Sequence, residues 1–387
     1  MDKTTKTYAG IMFASWLGRA ITFVPFTLFF LGKGLDIFEV GLLNSLTFVM
    51  LFAFQLPTGR FADRHGRKNA VALSFGLMGV SFASLVYAQT FWQCLLASSV
   101  GALGIAFSDG ALQAWLYDQL LSQNRLDLCG QAFSKGAQAF FAASIVGSLI
   151  GSRLMSVNEN LPWFVAGFVL LLVGAAALIL MKEAPISLEK KPTIKESIAC
   201  AKGSRILQYA FVLALLQCFA TQAPDYQWQP YYVSIGLDNI GLGYLLAGCF
   251  AAGFAGSFIV ERLKIDGRNP KTFPAIQLLL GGAIITAVGI SNLIIAVPAL
   301  LLQELVRGMF IPIQHSYVQS NIPSNNRHQA AMVSSLDSMS ANFGALVGLF
   351  ASGWIAKTFS IPTAWKFTGA IVIIGTIAAY FFKKQGG

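Results

Sequence analysis

The chain has 387 residues, of which 55% are hydrophobic and only 11% charged, and its net charge is +10 at pH 7. Soluble domains carry about a quarter charged residues, so this composition excludes an ordinary soluble enzyme and indicates a protein embedded in a membrane. The 37 glycines and 32 phenylalanines support that interpretation, because close helix contacts in a bilayer use glycine and lipid-facing surfaces tolerate phenylalanine.

Apolar stretches of about 20 residues, the length needed to cross a hydrocarbon core of about 30 Å, recur along the whole chain. They predict an all-α membrane protein with twelve transmembrane helices in two groups of six. The first stretch holds Arg19 at its centre and is too long for the core of a signal peptide, so we expect it to remain as span 1. The predicted spans are 8–32, 36–56, 69–88, 91–117, 132–154, 161–181, 206–234, 239–260, 272–290, 293–318, 330–356 and 362–382.

A charged segment at 182–205 separates the two groups and predicts a linker between six-helix bundles at 1–181 and 206–387. Of the 27 Lys and Arg residues, 21 fall on the side of the membrane that holds the N-terminus and four on the other. Because basic loops stay in the cytoplasm, both termini and the linker are predicted to be cytoplasmic, in a bacterial inner (plasma) membrane. The same dispersal of charge argues against binding to nucleic acid.

Enzymatic chemistry finds little support in the sequence. The five cysteines form no CxxC pair and the three histidines are far apart, so we expect no disulfide framework, metal site or other cofactor. A membrane enzyme would need a nucleophile with its base, a cluster of metal ligands or a phosphate-binding loop, and the sequence offers none. We therefore predict that the protein is not an enzyme.

The loop between spans 2 and 3 reads GRFADRHGRK at 59–68, and a weaker echo, SFIVERLKIDGR, follows span 8 at 257–268. The spacing of about 200 residues indicates an internal repeat, as in many secondary transporters. We expect Gly59 to let the chain turn sharply off span 2, and Gly66 to serve a second turn before span 3. Asp63 would lie near a helix N-terminus, where the helix dipole favours an anion.

Placed after the second of twelve spans, Gly59-x-x-x-Asp63-Arg64-x-Gly66-Arg67-Lys68 resembles the signature loop of the major facilitator superfamily, and the hydrophobic pattern extends the resemblance over nearly the whole chain. The resemblance implies the major facilitator fold, with two pseudo-symmetric six-helix bundles, and transport by alternating access. It also implies that the loop is a cytoplasmic latch that stabilises the outward-facing state, with Asp118 as the second acid for Arg67. The conformational gate predicted in this way consists of Gly59, Asp63, Arg64, Gly66, Arg67 and Asp118.

Ionisable residues inside the predicted spans cost roughly 2.5–3.5 kcal/mol each unless they are paired or hydrated. All but Asp337 lie on spans 1, 4, 7 and 10, which line the central cavity in the superfamily, so the resemblance implies a polar, water-accessible pathway there. Arg307 follows Asp109 at the spacing of the repeat, so these two would face each other. The six residues that lie more than four positions from either end of their span are Arg19, Asp109, Asp225, Glu304, Arg307 and Asp337.

Roles for these groups follow from their depth and chemistry. Asp109 and Glu304 are the candidates for proton coupling, because a carboxylate near an arginine can change protonation when solute or conformation changes its surroundings. The alternative is that they only neutralise Arg19 and Arg307. Glu304 and Arg307 are one turn apart and able to pair within their helix. Substrate binding is predicted for Arg19, Gln222, Asp225, Trp228, Glu304 and Arg307.

Span 7 also carries Pro224 and Pro230, which predict a broken helix of the kind that lines a cavity. Tyr231 and Tyr232 favour an interfacial aromatic belt. Two pairs of glycines at four-residue spacing, in 147–151 of span 5 and 344–348 of span 11, predict close helix packing.

Together these patterns predict proton-coupled transport of a small organic solute by a monomer in the lipid bilayer. Two central arginines favour an anionic or zwitterionic solute. Export is slightly favoured by the resemblance to drug/proton antiporters, although Ser98 stands where many of them carry an arginine and 147–152 lacks their proline. The alternatives are proton-coupled uptake of a carboxylate metabolite or a metallophore such as a siderophore and, from another class, a membrane-embedded enzyme or channel.

Overall fold

The structure, a computed structural model, describes residues 2–108, 110–183, 204–265, 272–287, 292–322 and 330–384. All regular secondary structure in these ranges is helical. The helices are α1 (Lys3–Ile21), α2 (Phe26–Gly32), α3 (Ile37–His65), α4 (Arg67–Tyr87), α5 (Phe91–Ser108), α6 (Ala111–Ser122), α7 (Cys129–Val157), α8 (Leu161–Leu180), α9 (Arg205–Ser234), α10 (Asn239–Arg262), α11 (Thr272–Ala287), α12 (Leu293–Ser320), α13 (Ala330–Thr358) and α14 (Ile361–Lys384).

Short polar side chains cap the first turns of several of these helices, among them α1, α9 and α12. Asp2 accepts a hydrogen bond from Thr5 N at 3.2 Å at the start of α1. Ser204 accepts one from Leu207 N at the start of α9, and Asn292 does the same for α12. Such caps satisfy backbone N–H groups that have no partner inside the helix, so short polar residues mark where these spans begin.

The prediction of twelve spans in an all-α membrane protein is confirmed. Eleven helical stretches among the described residues are long and apolar enough to cross a membrane, and a shorter apolar helix, Pro274–Ala287, stands at the ninth position. Two spans differ from the expected single helices. Span 1 is divided into α1 and α2 by the turn before Pro25, and span 4 is divided into α5 and α6 ahead of Gly110, whose φ is +76°.

The described residues form two compact units. Unit 1 takes those within Met1–Leu35, Leu43–Glu189 and Asp238–Ala247, and unit 2 takes those within Asp36–Leu42, Lys190–Leu237 and Gly248–Gly387. The starts of α3 and α10 are thus grouped apart from the rest of their helices. The predicted linker at 182–205 stays a prediction, because 184–203 lie outside the described residues.

The same pairs of spans pack together inside each unit. In unit 1, α1 packs on α7, α4 on α8, and α4 on α5. In unit 2, α9 packs on α13, α11 on α14, and α11 on α12. Counted as spans, these are the pairs 1–5, 3–6 and 3–4, followed by 7–11, 9–12 and 9–10. The internal repeat suggested by the loops is therefore present in the packing.

Glycines at matching positions allow the closest of these contacts. A Cβ atom on Gly79 of α4 would lie 2.8 Å from the carbonyl oxygen of Gly167 in α8, and one on Gly281 of α11 would lie 2.9 Å from that of Gly369 in α14. Both glycines of the second pair stand 202 residues after their counterparts. Backbones can approach this closely only where side chains are absent.

The glycines of the four-residue pairs also lie in helix contacts, as predicted. Cβ atoms on Gly147 and Gly151 of α7 would collide with Ala20 and with the carbonyl oxygen of Ile21 in α1. The second pair repeats this arrangement in unit 2. There, Cβ atoms on Gly344 and Gly348 of α13 would collide with the carbonyl oxygens of Leu215 and Phe219 in α9.

Two expectations for span 7 are wrong. The helix α9 runs unbroken through Pro224 and Pro230, because neighbouring helices and local adjustments can satisfy the carbonyl groups that a proline leaves without a partner. Tyr231 and Tyr232 are 2% and 0% exposed and do not form an interfacial belt. The hydroxyl of Tyr232 donates to the carbonyl of Ala296 at 2.6 Å. This hydroxyl therefore has a hydrogen-bond partner inside the unit and does not need to reach the membrane interface.

Candidate functional site

Three charged side chains meet inside unit 2. The guanidinium of Arg307, on α12, donates two hydrogen bonds to the carboxylate of Asp225 on α9, at 2.5 and 3.1 Å. It also lies 3.5 Å from Glu304, one turn earlier on its own helix. Glu304 further accepts a hydrogen bond at 3.1 Å from the amide of Gln303. The predicted pairing of Glu304 with Arg307 within the helix is therefore confirmed, and Asp225 joins it.

We call Asp225, Glu304 and Arg307 the acidic cluster, because it contains two carboxylates and one guanidinium. With both acids ionised its net charge is −1, and a single proton makes it neutral. The side chains are 31%, 20% and 33% exposed, respectively, so the cluster is partly accessible. Partial access of this kind is needed for a group that exchanges protons or contacts a solute.

The other two residues of α9 that are predicted to bind substrate lie one turn before and one turn after Asp225. Gln222 lies one turn before Asp225 and is half-buried. Trp228 lies one turn after it and is only 6% exposed. The remaining acid of the spans, Asp337 on α13, is 5% exposed and accepts a hydrogen bond at 2.7 Å from Gln314. The structure thus brings Asp225, Glu304 and Arg307 together and keeps Trp228 inside the unit.

Arg19 belongs to unit 1, where it lines a cavity of about 470 Å³. Its Nη2 atom donates to the hydroxyl of Ser108 and to the sulfur of Met78, both at 3.3 Å. The guanidinium carbon lies 4.9 Å from the centre of the Trp16 ring, in the geometry of a cation–π contact. The basic end of Arg19 is therefore held at the cavity wall by residues of α1, α4 and α5.

Asp109, the other candidate for proton coupling, lies outside the described residues, and so does its predicted relation to Arg307. The side chain of Asp63 is not described either, although its backbone belongs to the last turns of α3. Arg64, in the same turns, is exposed. The roles predicted for these three residues stay predictions.

The expected turn at Gly59 is wrong. Helix α3 continues through Gly59 to His65, because nothing forces a break before the charged end of the helix. The chain turns once, at Gly66, whose φ is +94°. That conformation strains any residue with a Cβ atom, and a Cβ atom here would also lie 2.7 Å from the carboxyl group of Glu183.

Glu183 is the residue of this region that the sequence analysis missed. Its carboxylate accepts hydrogen bonds from the backbone N–H groups of Arg67 at 2.7 Å and Lys68 at 3.2 Å. It thereby caps the N-terminus of α4, where the helix dipole favours negative charge. The signal in the sequence was the position of Glu183 just after span 6. This position did not reveal its partners, because Glu183 lies 116 residues from Arg67 along the chain.

The side chain of Arg67 turns toward α6. Its Nε atom donates to Asp118 at 3.4 Å, and the two side chains are only 17% and 9% exposed. Trp115 and Gln119 of α6 both donate to the carbonyl of Lys182 at 2.7 Å, which ties the end of α8 to the same place. We call Arg67, Asp118, Lys182 and Glu183 the α4 clasp.

We expect the Arg67–Asp118 pair to stabilise unit 1 measurably. In a double-mutant cycle of Arg67→Gln and Asp118→Asn, the coupling free energy should be about 1 kcal/mol, because a shielded pair loses less to water than an exposed one. Thermal unfolding in detergent measures it. The control is the cycle of Arg125→Gln and Asp127→Asn, whose side chains lie 3.8 Å apart but are 52% and 70% exposed, and whose coupling should be near zero. Equal couplings would contradict the assignment.

Comparison with known proteins agrees with this fold and loop. A sequence profile of the Major Facilitator Superfamily matches residues 8–336, which is most of the chain. The chain belongs to the Major Facilitator Superfamily. Members of this superfamily are transporters rather than enzymes, and the multi-pass helical architecture agrees with that class.

Among relatives in the superfamily, an uncharacterized MFS-type transporter of Bacillus subtilis (strain 168), YxaM, is 23% identical over 253 residues. The match covers 63% of this chain and 62% of the relative. The class D tetracycline resistance protein of Salmonella ordonez is 26% identical over 217 residues, which are 54% of this chain and 52% of that protein. The chain thus spans less than two thirds of the length of either relative.

Solved structures of the superfamily share the fold over nearly the full chain. The crystal structure of a bacterial homologue of the human lysosomal transporter Spinster, inward-facing and unoccupied, superposes with a TM-score of 0.79 at 15% identity. The alignment covers 99% of this chain and 96% of that one. At this identity the likeness concerns the fold alone.

Proposed function

We propose that the protein is a proton-coupled secondary transporter that moves a small organic anion or zwitterion across the membrane by alternating access. Membership of the Major Facilitator Superfamily supports the transport class. The proposal requires a site that can bind and release a proton. It also requires a positively charged side chain that can attract the solute. The acidic cluster in unit 2 is the candidate for the first, and Arg19 in unit 1 is a candidate for the second.

The acidic cluster is the observation that carries the proposal. Two carboxylates share one guanidinium, and burying unbalanced charge within a membrane is costly. One proton removes the imbalance, so the cluster has a reason to bind a proton and to release it when its surroundings change. Glu304 is the proposed carrier, since Asp225 takes both hydrogen bonds of the bidentate pair. Asp109 remains a second candidate.

Substrate contacts are proposed for Arg19, Gln222, Asp225, Trp228, Glu304 and Arg307, as the sequence predicts. Arg307 is balanced by two acids, and both it and Arg19 are proposed as cationic contacts of an anionic solute. The conformational gate is proposed to consist of Gly59, Asp63, Arg64, Gly66, Arg67 and Asp118. The contact between Arg67 and Asp118 supports the inclusion of these two residues in the same gate.

Export is favoured over uptake. One relative is named a tetracycline resistance protein, and resistance to a drug is compatible with its removal from the cell. The alternative direction is uptake of a carboxylate metabolite or metallophore with protons. Relatives from bacteria and the distribution of basic residues support an inner membrane location with both termini in the cytoplasm. We expect a monomer to suffice, because each predicted function is assigned within one chain.

Flux into proteoliposomes tests the proposal. With the membrane potential clamped at zero, radiolabelled organic acids, amino acids and amphipathic cations are supplied under an imposed pH difference. One pH unit is worth about 1.4 kcal/mol per proton, or about tenfold accumulation of a solute exchanged for one proton. Accumulation inside acidic vesicles indicates antiport, and accumulation inside alkaline vesicles indicates symport.

Protein-free liposomes supply the baseline for passive movement of weak acids and bases. Saturable flux that does not depend on the pH difference would contradict proton coupling. Flux that does not saturate would indicate a channel, and chemical conversion of a solute would indicate an enzyme.

A further inference from the structure

Asp337 on α13 is a carboxyl group of the spans that the proposed function does not use. It is 5% exposed, and its Oδ2 atom accepts a hydrogen bond at 2.7 Å from the side-chain amide of Gln314 on α12. Its other oxygen, Oδ1, is buried and has no hydrogen-bond partner among the residues that the structure describes. Oδ1 has therefore lost its contact with water without gaining another partner.

In the described part of the chain, no cation lies against this carboxyl group. None of the ion pairs found there includes Asp337. The titratable side chains that α9, α12 and α14 carry in this part of unit 2 are a thiol and phenols, which are neutral at pH 7, and an exposed imidazole. They are Cys218 of α9, Tyr209 of α9 with Tyr317 of α12, Tyr380 of α14 and His315 of α12. An ionised Asp337 would thus be a buried charge without a counter-charge.

The two oxygens give this carboxyl group opposing preferences. Burial of a charge without a counter-charge favours the protonated form. The N–H group of Gln314 favours the ionised form, because a hydrogen bond to a charged acceptor is stronger than one to a neutral acceptor. A carboxyl group on which these two effects act against each other can bind a proton and release it when its surroundings change.

The partner of Asp337 lies two helix turns from the acidic cluster. Gln314 follows Arg307 by seven residues, which is about 10 Å along the same face of α12. On α9, Cys218 precedes Asp225 by seven residues and therefore lies on the same face of that helix. The thiol of Cys218 interacts electrostatically with both the acidic cluster and Asp337. The two polar sites are therefore neighbours within unit 2.

We infer that Asp337 is a second proton-binding site of unit 2, through which the acidic cluster exchanges its proton with the cytoplasm. Gln314 and Asp337 lie between the acidic cluster and the loop that follows span 10, which is predicted to be cytoplasmic. The proton binds to a lone pair of Oδ1 and leaves without it, so the carboxyl group returns to its ionised form. The inference rests on the proposed function, for which it supplies a path for the proton.

Infrared difference spectroscopy tests the proton-binding site without any transport. Spectra of the full-length protein in lipid nanodiscs are recorded at about pH 5.5, where an ordinary aspartate, with a pKa of about 3.9, is almost fully ionised. Subtraction of the Asp337→Asn spectrum from that of the wild type should leave the C=O stretch of a protonated carboxyl group. A carboxylate band in its place would overturn the inference.

Gln314→Leu provides a second test in case Asp337→Asn fails to fold. Leucine removes the hydrogen bond that favours the ionised form, so the protonated band should persist to a pH about one unit higher than in the wild type. Ser340→Ala is the matched control, since Ser340 lies one turn further along α13 and donates to the carbonyl of Phe211 at 2.8 Å. It should leave the band unchanged. Loss of the band at the same pH in Gln314→Leu and in the wild type would contradict the assignment.

Flux into proteoliposomes tests the transfer of the proton. Asp337→Asn should slow solute flux driven by a pH difference about 100-fold, the lower end of what a positioned proton-transferring group contributes. Exchange of solute at equal pH should continue at the rate of the wild type, and Ser340→Ala should match the wild type in both assays. Unchanged driven flux in Asp337→Asn would overturn the inference. Equal losses in both assays would indicate a structural role and would also overturn it.

The infrared measurement requires no gradient, so its result is separable from the proposed function. A protonated carboxyl group at Asp337 without any proton-dependent flux would contradict the proposed function and leave Asp337 as a proton-binding site. Proton-dependent flux in a protein whose Asp337 is ionised at about pH 5.5 would overturn the assignment of Asp337 alone.

Discussion

Replacing Glu304 with glutamine is expected to abolish accumulation driven by a pH difference while exchange of solute at equal pH continues. Glutamine has the shape of protonated Glu304 but cannot release a proton, so the acidic cluster stays neutral throughout the cycle. Binding should survive, because Arg307 keeps its bidentate contact with Asp225. Under a difference of one pH unit the accumulation ratio should fall about tenfold, to the value at equal pH, because the roughly 1.4 kcal/mol supplied by one proton is no longer coupled to the solute.

Proteoliposomes loaded with a pH-sensitive dye measure the solute and the proton together. Glu159→Gln removes an exposed carboxylate between α7 and α8 and should transport like the wild type. If Glu304→Gln still accumulates solute against its gradient, another residue carries the proton, and Asp109 becomes the first candidate. If exchange at equal pH is also lost, Glu304 serves binding rather than coupling.

Gly151→Ala is expected to destabilise unit 1 by about 3 kcal/mol, at the upper end of the usual cost of overpacking. The added Cβ atom would collide with the backbone carbonyl of Ile21, and a backbone cannot move aside as a flexible side chain can. Gly344→Ala meets the carbonyl of Leu215 in unit 2 in the same way and should have a similar effect. Thermal unfolding followed by tryptophan fluorescence measures both.

Gly130→Ala is the matched control in the same helix as Gly151. A Cβ atom at Gly130 meets nothing within 4 Å, so alanine should be neutral or slightly stabilising through its better helix propensity, worth about 1 kcal/mol. A Gly151→Ala protein as stable as Gly130→Ala would contradict the close contact of α7 with α1.

The α4 clasp illustrates how far a motif in the sequence can be interpreted. The loop at 59–68 identified the region, and the positive φ of Gly66 bears out the turn expected there. The turn expected at Gly59 is absent, because a glycine that permits a turn does not require one. The cap by Glu183 was not predicted, because an acid beside a charged linker could pair with many different groups. Only the fold brings Glu183 to the backbone N–H groups of Arg67 and Lys68.

The intramembrane charges show the same division. Their cost in hydrocarbon marked Arg19, Asp225, Glu304 and Arg307 as functional candidates before any fold was known. Helical spacing also predicted the contact between Glu304 and Arg307. The bidentate partner of Arg307 is Asp225, 82 residues away, and no local pattern distinguishes it from other acids of the spans.

The amino-acid sequence by itself determined that the chain crosses a membrane about twelve times and repeats its first half in its second, because bilayer thickness and hydrophobicity act on each stretch separately. Tertiary structure alone decided which charged residues meet, which acid caps α4, and where seven aromatic rings line a cavity beside Arg19. These features depend on which faces of distant helices turn toward one another. That choice comes from packing over the whole unit, in which glycines set how closely the backbones approach.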